Sequence, residues 1–182
     1  MPRLLVVSAT AAEAAHVPPG VEVVVTGIGK VKAAAVTAAV LAARGDLDDL
    51  LVVNLGTAGA LRPGLEGLHE PGTVLNHDLS ADALRALGDD PQELLDVPGG
   101  DGTVLASGDV FVSDPVVRDA LAVRAGLVDM EGYAVVWACR RAGVPVRLVK
   151  HVSDRADASA LDWPAQVDAS ARVLGEWVRS RA

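Results

Sequence analysis

Between Leu127 and Asp157 the sequence LVDMEGYAVVWACRRAGVPVRLVKHVSDRAD brings Asp129, Glu131 and Asp154 within reach of one site. Carboxyl groups gathered in this way are the material of general acid–base chemistry. Met130, Ala134, Trp137, Ala138 and Arg141 fall on one face of an amphipathic helix that should stop near Gly143. Pro145 bars further helix, and Val146, Leu148, Val149 and Val152 form the near-continuous apolar run of a strand buried on both faces. That strand ends in Ser153-Asp154, where open α/β sheets build their ligand crevices. Asp154 is equally suited to capping the following turn, as Ser-Asp pairs do. At the helix start, Asp129 or Glu131 favours the positive end of the helix dipole. Their spacing can put one carboxylate in the crevice and the other on the solvent side.

The elements that position these groups are legible along the whole chain. Leu4 to Val7 reads as a buried strand that runs through Ser8-Ala9-Thr10 into a loop or helix containing Glu13. In its alanine-rich surroundings, taken alone, Glu13 reads as a solvated helix residue. Pro18-Pro19-Gly20 turns the chain into a β-branched strand, Val21 to Val25. Thr26-Gly27-Ile28-Gly29-Lys30 then opens a helix from about Val31 to Arg44, closed by Gly45. Lys32 stands where the third glycine of a dinucleotide fingerprint belongs, so a nicotinamide enzyme is poorly supported. The turn still offers backbone N–H groups to a hydroxyl, water or anion.

Leu50 to Leu55 is a third buried strand, followed by Gly56-Thr57-Ala58-Gly59, read as a turn whose small residues let a ligand approach the backbone. A loop rich in Pro and Gly leads to a strand at Thr73 to Leu75. Residues 78 to 102 read as a short helix, Ala81 to Leu87, and a variable loop. Thr103 to Ala106 resumes a strand that turns through Ser107-Gly108-Asp109 into Val110-Phe111-Val112. Trp163, Val167, Ser170, Leu174, Trp177 and Val178 define a closing amphipathic helix with Trp177 in the core. Strands alternating with helices place the fold in the α/β class, with three layers around a parallel or mixed sheet.

Composition narrows the function. A chain of 182 residues, 51% hydrophobic, is long enough for one domain with a full core. Its formal net charge of −8 repels nucleic-acid phosphates and anionic membranes, which leaves a small ligand as the expected partner. No apolar stretch approaches a membrane span, and the start, Met1-Pro2-Arg3 followed by Leu4 to Val7, lacks the features of a secretory signal, so a cytoplasmic protein is expected. His16, His69, His77 and His151 show no metal-ligand spacing, no Gly-x-Ser-x-Gly elbow is present, and Cys139 reads as a small core residue.

Five strings in order, TGIGKVKAAA (Thr26 to Ala35), NLGTAGAL (Asn54 to Leu61), SGDVFVSD (Ser107 to Asp114), DMEGYA (Asp129 to Ala134) and VSDRAD (Val152 to Asp157), resemble the nucleoside phosphorylase superfamily. Within it the chain is most similar to the 5′-methylthioadenosine/S-adenosylhomocysteine nucleosidases, which hydrolyse the bond between adenine and ribose. The resemblance implies one phosphorylase/hydrolase-like domain over residues 1–182, a three-layer αβα sandwich with a mixed central sheet, working without metal or cofactor, as a homodimer. It implies that Glu13 positions and deprotonates the attacking water, and that Asp154, with Ser153 as its hydrogen-bonding neighbour, protonates the purine at N7. Glu131 and Met130 would hold the ribose, Phe111 would stack on the base, the backbone of Val112 would read its edge, and Thr57 would help to hold water and ribose. Such roles suit a reaction that leaves positive charge on the sugar and negative charge on the base.

The first loop separates hydrolase from phosphorylase. Superfamily phosphorylases carry Gly-Asp-Pro and an arginine there, whereas Ser8-Ala9-Thr10-Ala11-Ala12-Glu13 has no cation and a carboxylate that repels phosphate. Lys150 replaces the arginine that nucleosidases place near the water. Tyr133 replaces a small residue, and either narrows the pocket or fills core. Residues 78 to 102 lack the aromatic stretch that covers the 5′ substituent across the family's dimer interface. Trp163 is either part of that wall or a hydrophobic staple for the last helix. The reading is therefore an adenine-type nucleosidase, with futalosine hydrolase, a phosphate-dependent phosphorylase and a non-catalytic nucleoside-binding module as alternatives.

Overall fold

The structure, a computed structural model, describes residues 2–182. The order of elements is β1 (Arg3–Ser8), β2 (Glu22–Val25), α1 (Lys30–Ala42), β3 (Leu50–Ala60), β4 (Leu68–His69), β5 (Pro71–Asn76), α2 (Ala81–Ala86), β6 (Leu94–Asp96), β7 (Asp101–Ser107), α3 (Pro115–Ala122), β8 (Leu127–Asp129), α4 (Gly132–Ala142), β9 (Val146–Asp154), a 3₁₀ turn (Ala158–Asp162) and α5 (Trp163–Arg179). The strands form one nine-stranded mixed sheet in which β3 is the hub. It pairs in parallel with β1 and β9, and its last residues pair antiparallel with β8.

Alternation along the strands divides the core between the two faces. Leu5 and Val7 of β1, with Leu105 and Leu127, face α1 and α4 and meet Ala33, Leu41, Val135, Val136 and Cys139. Val6, Val53, Leu55 and Val149 face the other way and are covered by Leu174, Trp177 and Val178 of α5. Fully burying each such Leu or Val is worth roughly 1.5–3 kcal/mol, so this stacking holds the sheet rigid beneath its carboxyl edge. The αβα expectation and the core role of Trp177 are met. Cys139 is buried, and burial pushes its thiol up to about 12, leaving it unreactive.

Several boundaries differ from the sequence reading, and α4 begins at Gly132, which leaves Met130 outside the helix. Gly56 to Gly59 is not a turn: β3 runs on to Ala60 because its pairing with β9 continues through Gly59. The loop within residues 78–102 contains β6, which adds antiparallel to the edge of β5 and is too short for periodicity to show. α1 ends at Ala42, before the expected Arg44. Hydrophobic periodicity gives no sign of α3, whose signals are local: the Asp114 carboxylate accepts the Val116 N–H at 2.8 Å, and Pro115 occupies the first turn. α4 stops at Gly143 as expected, in a left-handed C-cap at φ 71°.

Candidate active site

The carboxyl ends of β1, β3, β7, β8 and β9 open into a cavity of about 450 Å³. Glu13, Thr57, Phe111, Val112, Met130, Glu131, Ser153, Asp154 and Trp163 all line it, so nine residues from six separate stretches of the chain share one space. Asp129 also reaches it, and the rest of the wall is largely apolar, including Ile28, Val110, Leu161 and Pro164. The lining carries carboxylates but no lysine or arginine.

Glu13 is buried, not solvated, and lies in turns between β1 and β2. Its Oε2 accepts the Thr10 N–H at 3.2 Å and the Thr10 hydroxyl at 2.9 Å, while its own N–H donates back to Thr10 Oγ1 at 3.2 Å. This reciprocal Thr-x-x-Glu pairing is a capping box, and the spacing was the sequence signal for it. The other oxygen, Oε1, accepts the Thr57 N–H at 2.8 Å and the Thr57 hydroxyl at 2.9 Å. Trp163 Nε1 donates to that hydroxyl at 2.8 Å, which fixes its direction. Trp163 is thus a wall residue as well as the first residue of α5.

Two glycines of β3 make room for the acids. A Cβ on Gly56 would stand 2.9 Å from Glu13 Oε1, and a Cβ on Gly59 would stand 2.9 Å from Asp154 Oδ1. Asp154 accepts the Ser153 hydroxyl at 2.7 Å and the Ala156 N–H at 2.8 Å. The turn-capping and crevice readings of Asp154 therefore both hold.

Asp129 and Glu131 are both buried, which corrects the expectation of one solvent-facing carboxylate. The strand β8 delivers Asp129 beneath the cavity, where its Oδ2 accepts the Gly132 N–H at 2.9 Å and pairs with Lys150 Nζ at 2.8 Å, and Ser107 Oγ donates to its Oδ1. Glu131 Oε1 accepts the Gly29 N–H at 2.8 Å, and Asp109 accepts the Lys30 N–H at 2.7 Å. The amides that the glycine turn could offer to an anion are thus taken by the chain's own carboxylates. Burial, reinforced by the charges of Asp129 and Glu13 and opposed by Lys150 and the Gly29 N–H, raises Glu131 to about 7.

Lys150 is fully buried and does not line the cavity. Burial works against its charge, but the attraction of Asp129 and Glu131 outweighs it and raises its pKa, so the ammonium stays charged. Lys150→Met should leave Asp129 as a buried, unpaired charge and cost about 3–5 kcal/mol, lowering the melting temperature by roughly 10 °C in calorimetry. Tyr133 resolves to core: it is buried, its hydroxyl donates to the Gln92 carbonyl at 2.8 Å, and its ring stacks on Trp137 at 6.2 Å. Thr10 and Ala156 belong to the site without having been expected there, and Gly56 and Gly59, expected to let a ligand approach the backbone, make room for the chain's own carboxylates. Among the described residues no group of three or more His, Cys, Asp or Glu is arranged to hold a metal ion, and no helix is long and apolar enough to cross a membrane.

Sheet and cavity together define a three-layer α/β protein with an acid-lined cavity at the carboxyl edge of its strands. The chain belongs to the phosphorylase superfamily, whose family model matches residues 66–178. The aminodeoxyfutalosine nucleosidases of Helicobacter pylori strains 26695 and J99 are 34% and 32% identical over 80 residues, which is 42% of this chain and 35% of each relative. The matched stretch thus spans about a third of the curated relatives' length. Among solved structures, the 5′-methylthioadenosine/S-adenosylhomocysteine nucleosidase of H. pylori, complexed with a pyrrolidine ligand, superimposes with a TM-score of 0.84 at 23% identity, covering 98% of this chain and 97% of that one. The futalosine hydrolase of H. pylori strain 26695 gives 0.84 at 23% identity over 98% and 96%. The Neisseria meningitidis nucleosidase with methylthio-immucillin-A gives 0.83 at 22% identity over 98% and 97%. At this identity the likeness shows a shared fold.

Proposed function

We propose that this chain is a purine nucleosidase that hydrolyses the N-glycosidic bond of an adenine-type nucleoside such as 5′-methylthioadenosine or S-adenosylhomocysteine. The observation that carries the reading is Glu13: its carboxylate fills the amide and hydroxyl donors of Thr57 at the end of β3, in a cavity with no basic side chain. A phosphate co-substrate would meet negative charge there, whereas a water molecule finds a base.

Glu13 takes a proton from water as its oxygen bonds to C1′ of the ribose. The C1′–N9 bond breaks with its electrons passing to the purine, and Asp154 delivers a proton to N7, giving free base and free ribosyl product. Glu131, with Met130 beside it, accepts the ribose hydroxyls and stabilises the sugar as it becomes cationic. Phe111 and Val112 flank the base, and Trp163 with Leu161 walls the 5′ substituent.

The likeness to proteins named aminodeoxyfutalosine nucleosidase favours a second substrate, aminodeoxyfutalosine, with the same bond broken. The protein is inferred to be a single-domain, cytoplasmic homodimer that uses no metal or cofactor. Exposed apolar side chains at the cavity mouth, Ile28, Val110, Phe111 and Leu161, support burial against a second copy.

Incubating the purified chain with methylthioadenosine, adenosylhomocysteine, adenosine, inosine, futalosine and aminodeoxyfutalosine, with and without phosphate, tests the reading by chromatography. Free base and free sugar at a rate independent of phosphate are expected from the adenine nucleosides carrying a 5′ substituent. Release that requires phosphate overturns the role of Glu13. Saturable binding with no base released makes the chain a binding module.

A further inference from the structure

We propose that Ala156 is a positioning residue for Asp154: a left-handed turn, fastened by a buried methyl group, holds the amide that aims the carboxylate. The inference rests on the reading of Asp154 as the acid of the hydrolysis.

Three observations converge on this turn. The register of β9 against β3 shifts at its end, with Ala58 opposite Val152 and Gly59 opposite Asp154, so Ser153 is an extra, bulged residue. A bulge of this kind re-aims the side chains around it. Beyond it, Ala156 takes φ 50°, a region in which glycine is the usual residue because a Cβ is disfavoured there. The methyl is nonetheless kept and completely buried, in a cluster with Val112 and Val128 of the cavity wall.

The geometry gives this arrangement a use. The Ala156 N–H donates to Asp154 Oδ1 at 2.8 Å while Ser153 Oγ donates to Oδ2 at 2.7 Å, so each oxygen is held from its own side. A Cβ on Gly59 would stand 2.9 Å from Asp154 Oδ1 and 3.1 Å from the Ala156 methyl, so the strand closes the remaining side. Glycine at 156 would adopt the turn without strain, but would adopt many others as well. The packed methyl excludes those alternatives and keeps the amide pointed at the acid, a local strain placed beside a reacting group.

A double-mutant cycle tests the assignment. In the otherwise wild-type chain, Ala156→Gly should lower kcat about tenfold or more with KM changed by less than about twofold, because misaim affects the reacting step. In the Asp154→Asn background the same change should alter kcat by less than about twofold, since no acid remains to be aimed. An equal loss in both backgrounds, or no loss in the wild type, overturns the proposal. Should Ala156→Gly fail to fold, Gly59→Ala, which presses on the same carboxylate, decides by the same comparison. Absence of turnover in the wild-type chain overturns the nucleosidase reading itself and takes the inference with it.

Discussion

Glu13→Gln should lose turnover by about 10²–10⁴-fold and also melt at a lower temperature. The first effect follows from removing the base that takes the proton from water. The second follows from the four donors that converge on the carboxylate, two from Thr10 and two from Thr57. An amide has one oxygen to offer and presents N–H groups to the remaining donors. Buried donors left unpaired cost about 1–3 kcal/mol each, so a loss of several degrees in the melting temperature should accompany the kinetic defect. Nucleoside affinity, measured by calorimetric titration, should fall far less than kcat. A variant that retains wild-type turnover would remove Glu13 from the mechanism.

Asp154→Asn is the second large effect, again about 10²–10⁴-fold in kcat. Unlike Glu13, Asp154 accepts only two internal hydrogen bonds, from Ser153 and Ala156, and an amide oxygen can keep one of them. Stability should therefore fall less than in Glu13→Gln, and the purine should still bind. Measured side by side, the two variants separate a residue that serves both fold and chemistry from one whose main expense is chemical. If Asp154→Asn turned over at the wild-type rate, the proton would have to come from elsewhere.

Much of this was legible because apolar runs and glycine turns report directly on strands and their ends. β1, β9 and α5 follow from periodicity, and Glu131 and Asp154 were placed by the strand and helix that carry them. Features set by contacts between distant segments were not legible. Glu13 looks solvated in its own stretch because the Thr57 donors that bury it come from β3. Gly56 and Gly59 look like a turn because their reason for being glycine lies in two carboxylates from elsewhere. Likewise the partner of Lys150, Asp129, is fixed by the packing of β8 beside β3, and the bulge at Ser153 appears only once β9 is registered on its neighbour.

The hub role of β3 also bears on how the chain folds. Val52 of β3 pairs with Leu5 on one side and Val146 on the other, and Gly59 pairs with Val128. These partners are remote in sequence, so the sheet has high contact order and closes slowly, on the millisecond-to-second scale of such topologies. Glu13, Thr57, Glu131 and Asp154 belong to four segments that meet only when those pairings are complete. No partially folded chain can carry the constellation, and during refolding the recovery of turnover should trail the recovery of helical signal.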